Sequence, residues 1–406
     1  MKIIIFTENY RGGGMDTFIA SLIKNWPNDD KFIVVCNKNH PGLTYLESIL
    51  PKDVETMYHS LPLNWSFLSN FLNYLPNILQ RAVRQVFRVL LAPYQFLKIK
   101  KMLKNAGGDQ LMSVNGGYPG GETCRLANIA WYSLFKEQSI HNFHNYSVKY
   151  RAIFAPYEIL IDSKLNRSCS DIVSVSNDCA NSIKQRYIFK NSDKISFIYN
   201  GLYNSPISNI KSYVKQKYKI THNSKIILMI GTFEPRKGHE YLINAINDVF
   251  TKHKYLNLFI IGSGTEAETA YLKSLVARFK WGYKVHFTGF VSDISEYMSI
   301  ADIVVIPSQE YESFGLTAIE AMSYGVPIVA TSVGGLPETI GDNGYCGFHT
   351  DIKDIPGFSK NIIRLIEDET LAKKMGENGI KRVNELFKPD RMAMDYMSLL
   401  TKNRKQ

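Results

Sequence analysis

Short runs of β-branched and aliphatic residues recur along both halves of the chain, and each is followed by a glycine turn or a helical segment. Runs without strict polar alternation are typical of strands that are buried on both faces of a parallel sheet. The pattern therefore predicts an α/β fold in which strands alternate with helices. The predicted strands lie at 3–6, 32–35, 139–143, 171–176 and 195–199, and then at 225–231, 256–261, 284–288, 303–306 and 327–330.

The chain has 406 residues, which is more than one hydrophobic core usually organises, so two domains are expected. A polar stretch within 206–224 separates two α/β patterns and is interpreted as the linker. We predict one Rossmann-like domain over 1–205 and a second over 225–386. Residues 387–406 carry apolar side chains at helical spacing and predict an amphipathic C-terminal helix.

The net charge of +11 favours an anionic partner, which could be a membrane surface, a nucleic acid or a phosphorylated substrate. The five cysteines are scattered and odd in number, so neither a disulfide framework nor a zinc site is indicated, and a reducing cytoplasm fits. The strand at 2–6 is too short for the apolar core of a signal peptide. The apolar region 78–97 contains three arginines and does not predict a membrane span.

Two glutamates flank a predicted helix start in the second half of the chain. Residues 303–306 predict a buried strand and 317–324 a helix, with Glu312 in the loop between them and Glu320 on the helix. Open α/β sheets bind ligands at the carboxyl ends of their strands, and a helix N-terminus suits a phosphate. A carboxylate matches the vicinal hydroxyls of a sugar. The pattern indicates a nucleotide-sugar site, and the alternative is a plain turn with two solvated glutamates.

Basic residues occupy the turn after the strand at 225–231. Arg236 and Lys237 precede a predicted helix, where charge-assisted hydrogen bonds would neutralise a leaving diphosphate. A basic turn with solvated side chains is the alternative. No Asp-x-Asp follows a strand, so no candidate exists for a diphosphate-bridging metal ion, and these two cations would take its role.

These motifs resemble the signature of family 4 of the retaining glycosyltransferases, which have the GT-B fold of two doubly wound Rossmann-like domains facing a central cleft. The resemblance covers nearly the whole chain, is strongest over 231–338, and implies a C-terminal helix that crosses back onto the first domain. It also implies that Glu312 contacts the donor sugar and that Glu320 binds the ribose. The diphosphate would be held at Phe314, Gly315 and Leu316.

The same resemblance assigns roles to the neighbouring loops. Lys237 occupies the position of the family lysine, whereas Thr232 stands where many relatives carry an arginine, so we infer that Arg236 supplies the missing guanidinium. Gly264 lies in a phosphate-type glycine turn. Phe290 lies beside the segment whose backbone reads the nucleotide base, and a plain strand end is the alternative there.

In the first half, Gly13 and Gly14 belong to a glycine run that resembles the acceptor-side loop of the family, whose amides lie close to the donor phosphate. A bland tight turn is the alternative. His141 matches the histidine that family members place in the cleft near the reacting sugar, and His144 is its rival. A structural role is the other interpretation of His141, because a single histidine is commonly structural.

Residues 77–104 interleave basic and apolar side chains and predict a basic amphipathic helix pair on an anionic bilayer. A helix docked on the core with a solvated basic edge is the alternative. Nucleic acid is not favoured, since no nucleic-acid motif occurs and the aromatic residues cluster with aliphatic ones. The basic residues are Arg81, Arg84, Arg88, Lys98, Lys100, Lys101 and Lys104.

The resemblance implies a retaining, metal-independent enzyme that uses a nucleoside-diphosphate sugar as its substrate and needs no separate cofactor. The expected acceptor is a polyprenyl-diphosphate-linked saccharide at the inner face of a bacterial plasma membrane, in capsule, lipopolysaccharide or exopolysaccharide assembly. The protein is expected to be cytoplasmic and peripherally bound to that membrane. Two alternatives remain open, which are a catalytically silent GT-B subunit that partners an active transferase and a GT-B nucleotide-sugar epimerase.

Overall fold

The structure is a computed structural model, and it describes residues 1–9, 13–63, 72, 74–203 and 213–402. The chain divides into two compact units, of which the first is Met1–Tyr203 with Pro389–Gln406 and the second is Asn204–Lys388. Part of the predicted linker, residues 206–212, lies outside the described residues. Each unit is built on one parallel sheet, with seven strands in the first and six in the second over the described residues.

The first sheet has the order β3-β2-β1-β4-β5-β6-β7. All five strands predicted from the first half are present. Two strands were not predicted, because β3 is polar and β4 contains Ser113, Asn115 and two glycines. The strands are β1 (Lys2–Thr7), β2 (Lys31–Asn37), β3 (Glu55–His59), β4 (Gln110–Tyr118), β5 (Ser139–Ser147), β6 (Cys169–Ser174) and β7 (Ile195–Phe197).

Helices cover both faces of this sheet. On one face, Phe18 of the first helix and Tyr396 of the C-terminal helix pack on Ile3 and Ile5 of β1. On the other face, Trp131 packs with Ile4 and Phe6. The C-terminal helix therefore belongs to the first unit, as predicted. The helices are α1 (Gly14–Lys24), α2 (Leu43–Ile49), α3 (Asn77–Ala106), α4 (Glu122–Phe135), α5 (Ala155–Ser168), α6 (Asn177–Ser182) and, at the end of the chain, α15 (Pro389–Lys402).

The predicted helix pair over 77–104 is a single helix of 30 residues, α3, with Pro93 inside it. Ile99 and Leu103 on one of its faces join the core beside α4. Arg88 lies on this buried face, where Nε is 2.5 Å from Glu122 Oε2 and NH1 is 3.2 Å from Glu158 Oε1. The prediction that Arg88 faces a membrane is therefore wrong, since its charge is already paired inside the unit. Among the described helices, none has the length and apolar character needed to cross a membrane.

The second sheet has the order β10-β9-β8-β11-β12-β13. The five predicted strands are present, and β13 was missed because its four residues include a glycine and a histidine. The core joins Ile227, Ile260 and Val305 of the strands to Leu242 and Phe358 of the flanking helices. The strands are β8 (Lys225–Ile230), β9 (Leu256–Ile261), β10 (Val285–Gly289), β11 (Ile303–Ile306), β12 (Ile328–Thr331) and β13 (Gly347–Thr350).

The helices of the second unit lie before, between and after these strands. They are α7 (Val214–Lys217), α8 (His239–Lys252), α9 (Glu266–Val276), α10 (Ser295–Met298), α11 (Leu316–Ser323), α12 (Leu336–Ile340), α13 (Ile355–Glu367) and α14 (Glu369–Leu386).

Candidate functional site

The strand order of the second sheet reverses between β8 and β11, which lie side by side although β9 and β10 come between them in the chain. The connections from these two strands diverge to opposite sides, and a doubly wound sheet binds its ligand at such a point. Gly238, in the loop after β8, packs closely against Pro307 in the loop after β11. It has φ +76°, and a Cβ there would lie 1.9 Å from the Pro307 carbonyl oxygen, so only glycine permits this approach.

Lys237 and Glu312 meet at this junction. The Lys237 Nζ donates to Glu312 Oε2 at 2.5 Å, and Ser308 Oγ lies 3.5 Å from the same oxygen. The side chains of Lys237 and Glu312 are 19% and 16% exposed, so both remain accessible while most of their surface is covered. The structure therefore brings together a cation and a carboxylate that the sequence assigned to one donor site.

Arg236 lies beside this pair and is held on two sides. Its Nε donates to Glu234 Oε2 at 2.7 Å, and its guanidinium carbon is 4.9 Å from the centre of the Tyr311 ring. The Arg236 carbonyl also accepts from the Gln309 backbone N–H at 2.7 Å. The loops after β8 and β11 are thus joined by backbone and side-chain contacts that fix the guanidinium near Lys237.

The helix α11 begins at the same edge of the sheet. Gly315 precedes it with φ +98°, and Leu316 is its first residue. Phe314 is buried, and its carbonyl accepts a hydrogen bond from Thr339 Oγ1 at 2.5 Å. This contact with α12 fixes the backbone just before α11. The first turn of a helix leaves N–H groups without partners inside the helix, and these attract an anion.

Glu320 lies one turn further along α11. Burial raises the pKa of its carboxyl to about 7, and within the described part of the chain the carboxylate has no hydrogen-bond or ion-pair partner. A carboxylate that is partly withdrawn from water and has no partner is destabilised when it is ionised. Two hydroxyl donors, such as those of a ribose, would supply the hydrogen bonds that the protein does not.

The loops after β9 and β10 complete this edge of the sheet. Gly262 approaches the β8 loop so closely that a Cβ would lie 1.9 Å from the Gly231 carbonyl oxygen, and a Cβ on Gly264 would lie 2.6 Å from Phe233 Cβ. The Gly262 N–H donates to the Gly289 carbonyl at 3.0 Å. Phe290 follows and is 78% exposed. The glycine turns and Phe290 therefore lie on the β8 side of the Lys237–Glu312 pair.

The glycine run of the first unit also lies at a reversal of strand order, between β1 and β4. Gly13 and Gly14 form the start of α1, and the Gly13 N–H donates to Asp16 Oδ2 at 3.0 Å. Asp16 is buried and accepts in addition from Asn9 Nδ2 and His40 Nε2, both at 2.8 Å. These contacts hold the backbone of the turn, and the sequence did not single them out. Gly12 of the predicted loop lies outside the described residues.

His141 and His144 point to opposite faces of β5. His141 is fully buried beneath α4, where Nδ1 lies 2.8 Å from Ser113 Oγ and 3.1 Å from Asn128 Nδ2. The ring of His144 packs edge-on against Phe18 of α1, with 4.3 Å between ring centres. Burial lowers the pKa of both imidazoles to about 3. The helix that follows the glycine loop therefore contacts His144, whereas His141 lies within the interior under α4.

Residues 211–382 match the family described as glycosyl transferases group 1. This match covers most of the second unit, hereafter the group 1 domain. The chain is 31% identical over 186 residues to the N-acetyl-alpha-D-glucosaminyl L-malate synthase of Bacillus anthracis. The aligned region covers 46% of this chain and 48% of the synthase. The chain is 28% identical to the capsular polysaccharide biosynthesis glycosyltransferase CapM of Staphylococcus aureus, over 58% of this chain and 62% of that one. The chain thus spans about half the length of the curated relatives it matches.

A solved structure extends the comparison beyond the group 1 domain. The Anabaena protein Alr3699/HepE, crystallised in complex with UDP, superposes with a TM-score of 0.75 at 19% identity, covering 99% of this chain and all of that one. The fold of the whole chain is therefore GT-B, as predicted.

Several residues of the group 1 domain site were missed by sequence reasoning. Tyr311 and Gln309 support Arg236, and a signal existed, since both stand in the same loop as Glu312. His239 is 3% exposed, and neither ring nitrogen has a hydrogen-bond partner among the described residues. Burial and the charge of Lys237 lower the pKa of His239 to about 4. Within the described residues, no group of three or more His, Cys, Asp or Glu is arranged to hold a metal ion.

Proposed function

We propose that the protein is a retaining glycosyltransferase that transfers a sugar from a nucleoside-diphosphate donor to an acceptor hydroxyl. The observation that carries this proposal is the contact of Lys237 with Glu312 at the strand-order reversal of the group 1 domain. The relative HepE was crystallised with UDP and with UDP-glucose, which supports a nucleotide-sugar donor of this class.

Each residue of the site has a chemical role in this proposal. Lys237 and Arg236 neutralise the diphosphate as it leaves, together with the N–H groups at the start of α11. Glu320 accepts the ribose hydroxyls, and Glu312 positions the donor sugar. Phe290 and Gly264 border the nucleotide, with the exposed ring of Phe290 beside the base.

The chemical step exchanges one bond at the anomeric carbon for another. The bond from the anomeric carbon to the phosphate oxygen breaks, the bond to the acceptor oxygen forms on the same face, and the acceptor proton passes to the leaving phosphate. The two cations stabilise the charge that develops on this phosphate and take the role that a metal ion has in other transferases. In the first unit, Gly13 and Gly14 would approach the donor phosphate. His144 is the stronger candidate for the histidine near the sugar, because it contacts α1 and His141 does not.

The proposed acceptor is a polyprenyl-diphosphate-linked saccharide in bacterial surface polysaccharide assembly. The capsular relative CapM supports this class of pathway. The proposed place of action is the anionic inner face of the plasma membrane, which the protein would reach through α3.

The outward face of α3 supports the membrane proposal. Leu79, Val86, Leu90, Tyr94 and Leu97 recur at intervals of seven, four, four and three residues, and each is between 46% and 65% exposed. This spacing puts them on one stripe of the helix, opposite the face that packs on α4. Lys98, Lys101 and Lys104 lie at the C-terminal end of the helix and are exposed. An apolar stripe with adjacent cations suits a helix that lies in the plane of an anionic membrane surface.

The test is ligand-observed NMR with UDP-, GDP- and ADP-sugars, without metal, on wild type and Glu320→Ala. We expect one nucleotide to bind the wild type and to be lost in the variant. Glu312→Ala should keep the fold and abolish turnover. Absence of binding by every nucleotide sugar would instead favour the silent partner subunit, and conversion of a nucleotide sugar without an acceptor would favour the epimerase.

A further inference from the structure

A cavity of about 680 Å³ lies at the β13 end of the second sheet, at the carboxyl ends of its last strands. Ser332 after β12 and Thr350 and Asp351 at the end of β13 line it at the carboxyl ends of the last two strands. Other lining residues come from the loop before β13 and from α13. Its volume falls within the range of small-ligand sites, which is about 300–1,000 Å³.

The strand order places this cavity relative to the proposed donor site. The turns that border the nucleotide follow β8, β9 and β10, whereas the cavity follows β12 and β13, and Glu312 lies between them in the loop after β11. Thr331 Oγ1 donates to the Ser308 carbonyl, and the Ser332 N–H donates to the Thr350 carbonyl at 2.7 Å. Thr331, which precedes the lining residue Ser332, is therefore hydrogen-bonded to the loop that carries Glu312.

Gln309 forms a second connection between the two sites. Its backbone N–H donates to the Arg236 carbonyl at 2.7 Å, and its Oε1 accepts from the Lys353 N–H at 3.2 Å. Lys353 lies between Asp351 and Asp354, which both line the cavity. A ligand in the cavity would thus lie next to the sugar end of the donor and away from its base.

The lining is polar and carries both signs of charge. Asp342, Asp351 and Asp354 contribute carboxylates, Asn361 contributes an amide, and Lys360 and Arg364 contribute cations from α13. Three carboxylates against two cations leave little net charge, so the lining does not favour a strongly charged ligand. Saccharide hydroxyls both donate and accept, and so they match a mixture of carboxylate, amide and cationic groups.

His349 adds a buried acceptor to this lining. Its Nε2 lies 2.8 Å from the Gly341 carbonyl oxygen, which can only accept, so Nε2 carries the proton. Nδ1 is then an acceptor, and it is buried without a partner among the described residues. A buried polar atom without a hydrogen bond is destabilising, and a hydrogen bond from a ligand hydroxyl would offset this.

We infer that this cavity binds a neutral saccharide, the glycan part of the acceptor, beside the donor sugar. The inference rests on the proposed function, because it takes the position of the donor sugar from Glu312. It assigns acceptor recognition in part to the group 1 domain, through Asn361, Lys360 and Asp351.

The experiment is saturation-transfer difference NMR on the full chain with maltotriose, cellotriose, mannotriose and N,N′,N″-triacetylchitotriose. The variants are Lys360→Ala with Asn361→Ala, and the matched control is Lys373→Ala on the exposed face of α14. We expect at least one trisaccharide to bind the wild type and the control, and its affinity to fall by about tenfold or more in the double variant, the loss of roughly one good hydrogen bond or two.

Titration of the same samples with UDP-, GDP- and ADP-sugars separates this inference from the proposed function. Donor binding that is unchanged in the double variant, together with lost trisaccharide binding, supports the cavity. Donor binding without trisaccharide binding, or trisaccharide binding that the double variant retains, overturns the saccharide site and leaves the proposed function intact. Absence of binding by all three classes of nucleotide sugar to the wild type would instead remove the proposed function.

Discussion

Lys237 and Glu312 are 75 residues apart in the chain and in contact in the structure. Their pairing depends on two strands that the sheet puts side by side. The sequence identifies the two residue types. The close approach of the Gly238 backbone to Pro307 brings the two loops near enough for their side chains to meet. The Arg236 guanidinium, in the turn after β8, is held by a hydrogen bond to Glu234 and by its contact with the Tyr311 ring.

Removing either cation should slow the chemical step. We expect Lys237→Ala and Arg236→Ala each to lower kcat by about 10²–10³-fold, because each removes a charge that stabilises the leaving diphosphate. Steady-state kinetics with the donor found by NMR would measure this. Lys280→Ala, on an exposed part of the same unit, is the control. Full activity of Arg236→Ala would show that this residue does not replace the arginine absent at Thr232.

Glu320 should make stability and donor binding depend on pH in opposite directions. Its pKa is about 7 in the folded protein against the ordinary value of 4.5, so the folded state holds more protons between these values. The free energy of unfolding therefore falls as the pH rises from 4.5 to 7, because Glu320 must ionise in a partly buried position. Above pH 7 this destabilisation is fully present. We expect Glu320→Gln to raise Tm at pH 8 and to change it little at pH 4.5, as measured by thermal unfolding.

The affinity of the wild type for the nucleotide should change with pH in the opposite direction to its stability. A protonated carboxyl accepts fewer hydrogen bonds, so UDP affinity should weaken as the pH is lowered from 8 to 6. Calorimetric titration at several pH values measures this, with Glu320→Gln as the control that should lose the dependence. An identical pH dependence in that variant would assign it to another group.

At the scale of elements, α3 carries buried and exposed basic residues on different faces. Arg88 is paired with Glu122 and Glu158 beneath the helix, whereas Lys98, Lys101 and Lys104 are exposed with the apolar stripe. Amphipathicity in the sequence identified the helix but assigned Arg88 to the wrong face. The network of carboxylates that holds it comes from α4 and α5, and no local pattern in 77–104 encodes them.

The stripe of α3 should govern membrane binding. We expect Leu90→Glu with Leu97→Glu to reduce binding to vesicles of phosphatidylcholine and phosphatidylglycerol by at least about tenfold, because each leucine loses about 1.5–3 kcal/mol of burial. Sedimentation with the vesicles measures this. Lys373→Ala with Lys381→Ala lowers the net charge by the same amount on the exposed face of α14 and should bind normally. Equal binding by the α3 variant would discard the membrane proposal.

At the scale of the whole molecule, the last helix closes the first unit. Tyr396 of α15 is fully buried, and its hydroxyl accepts from Asn142 Nδ2 of β5 at 2.7 Å, across 254 residues of sequence. The first unit is therefore assembled from both ends of the chain, while the second unit is continuous between them. The stability of the first sheet should depend on residues that follow the group 1 domain in the sequence.

Truncation of Tyr396 tests this dependence. We expect Tyr396→Ala to lower the free energy of unfolding by about 3–5 kcal/mol and Tyr396→Phe by about 1 kcal/mol, since the second loses only the hydrogen bond. Urea unfolding measures both. Met394→Ala, at an exposed position of the same helix, should change stability by less than about 0.5 kcal/mol. A Tyr396→Ala protein as stable as the control would show that α15 does not support the first unit.

Local sequence patterns correctly predicted the α/β class, ten of the strands, the loop positions of Glu312, Arg236 and Lys237, and the helix that carries Glu320. These follow from local patterns, because β-branched runs, glycine turns and helical spacing are set by neighbouring residues. The tertiary structure alone decided the partners of Arg88, the burial of His141 beneath α4 and the cavity beside Ser332. Each depends on side chains that are distant in sequence and that meet only when strands pair and helices pack, and polar strands such as β4 are buried only through that packing.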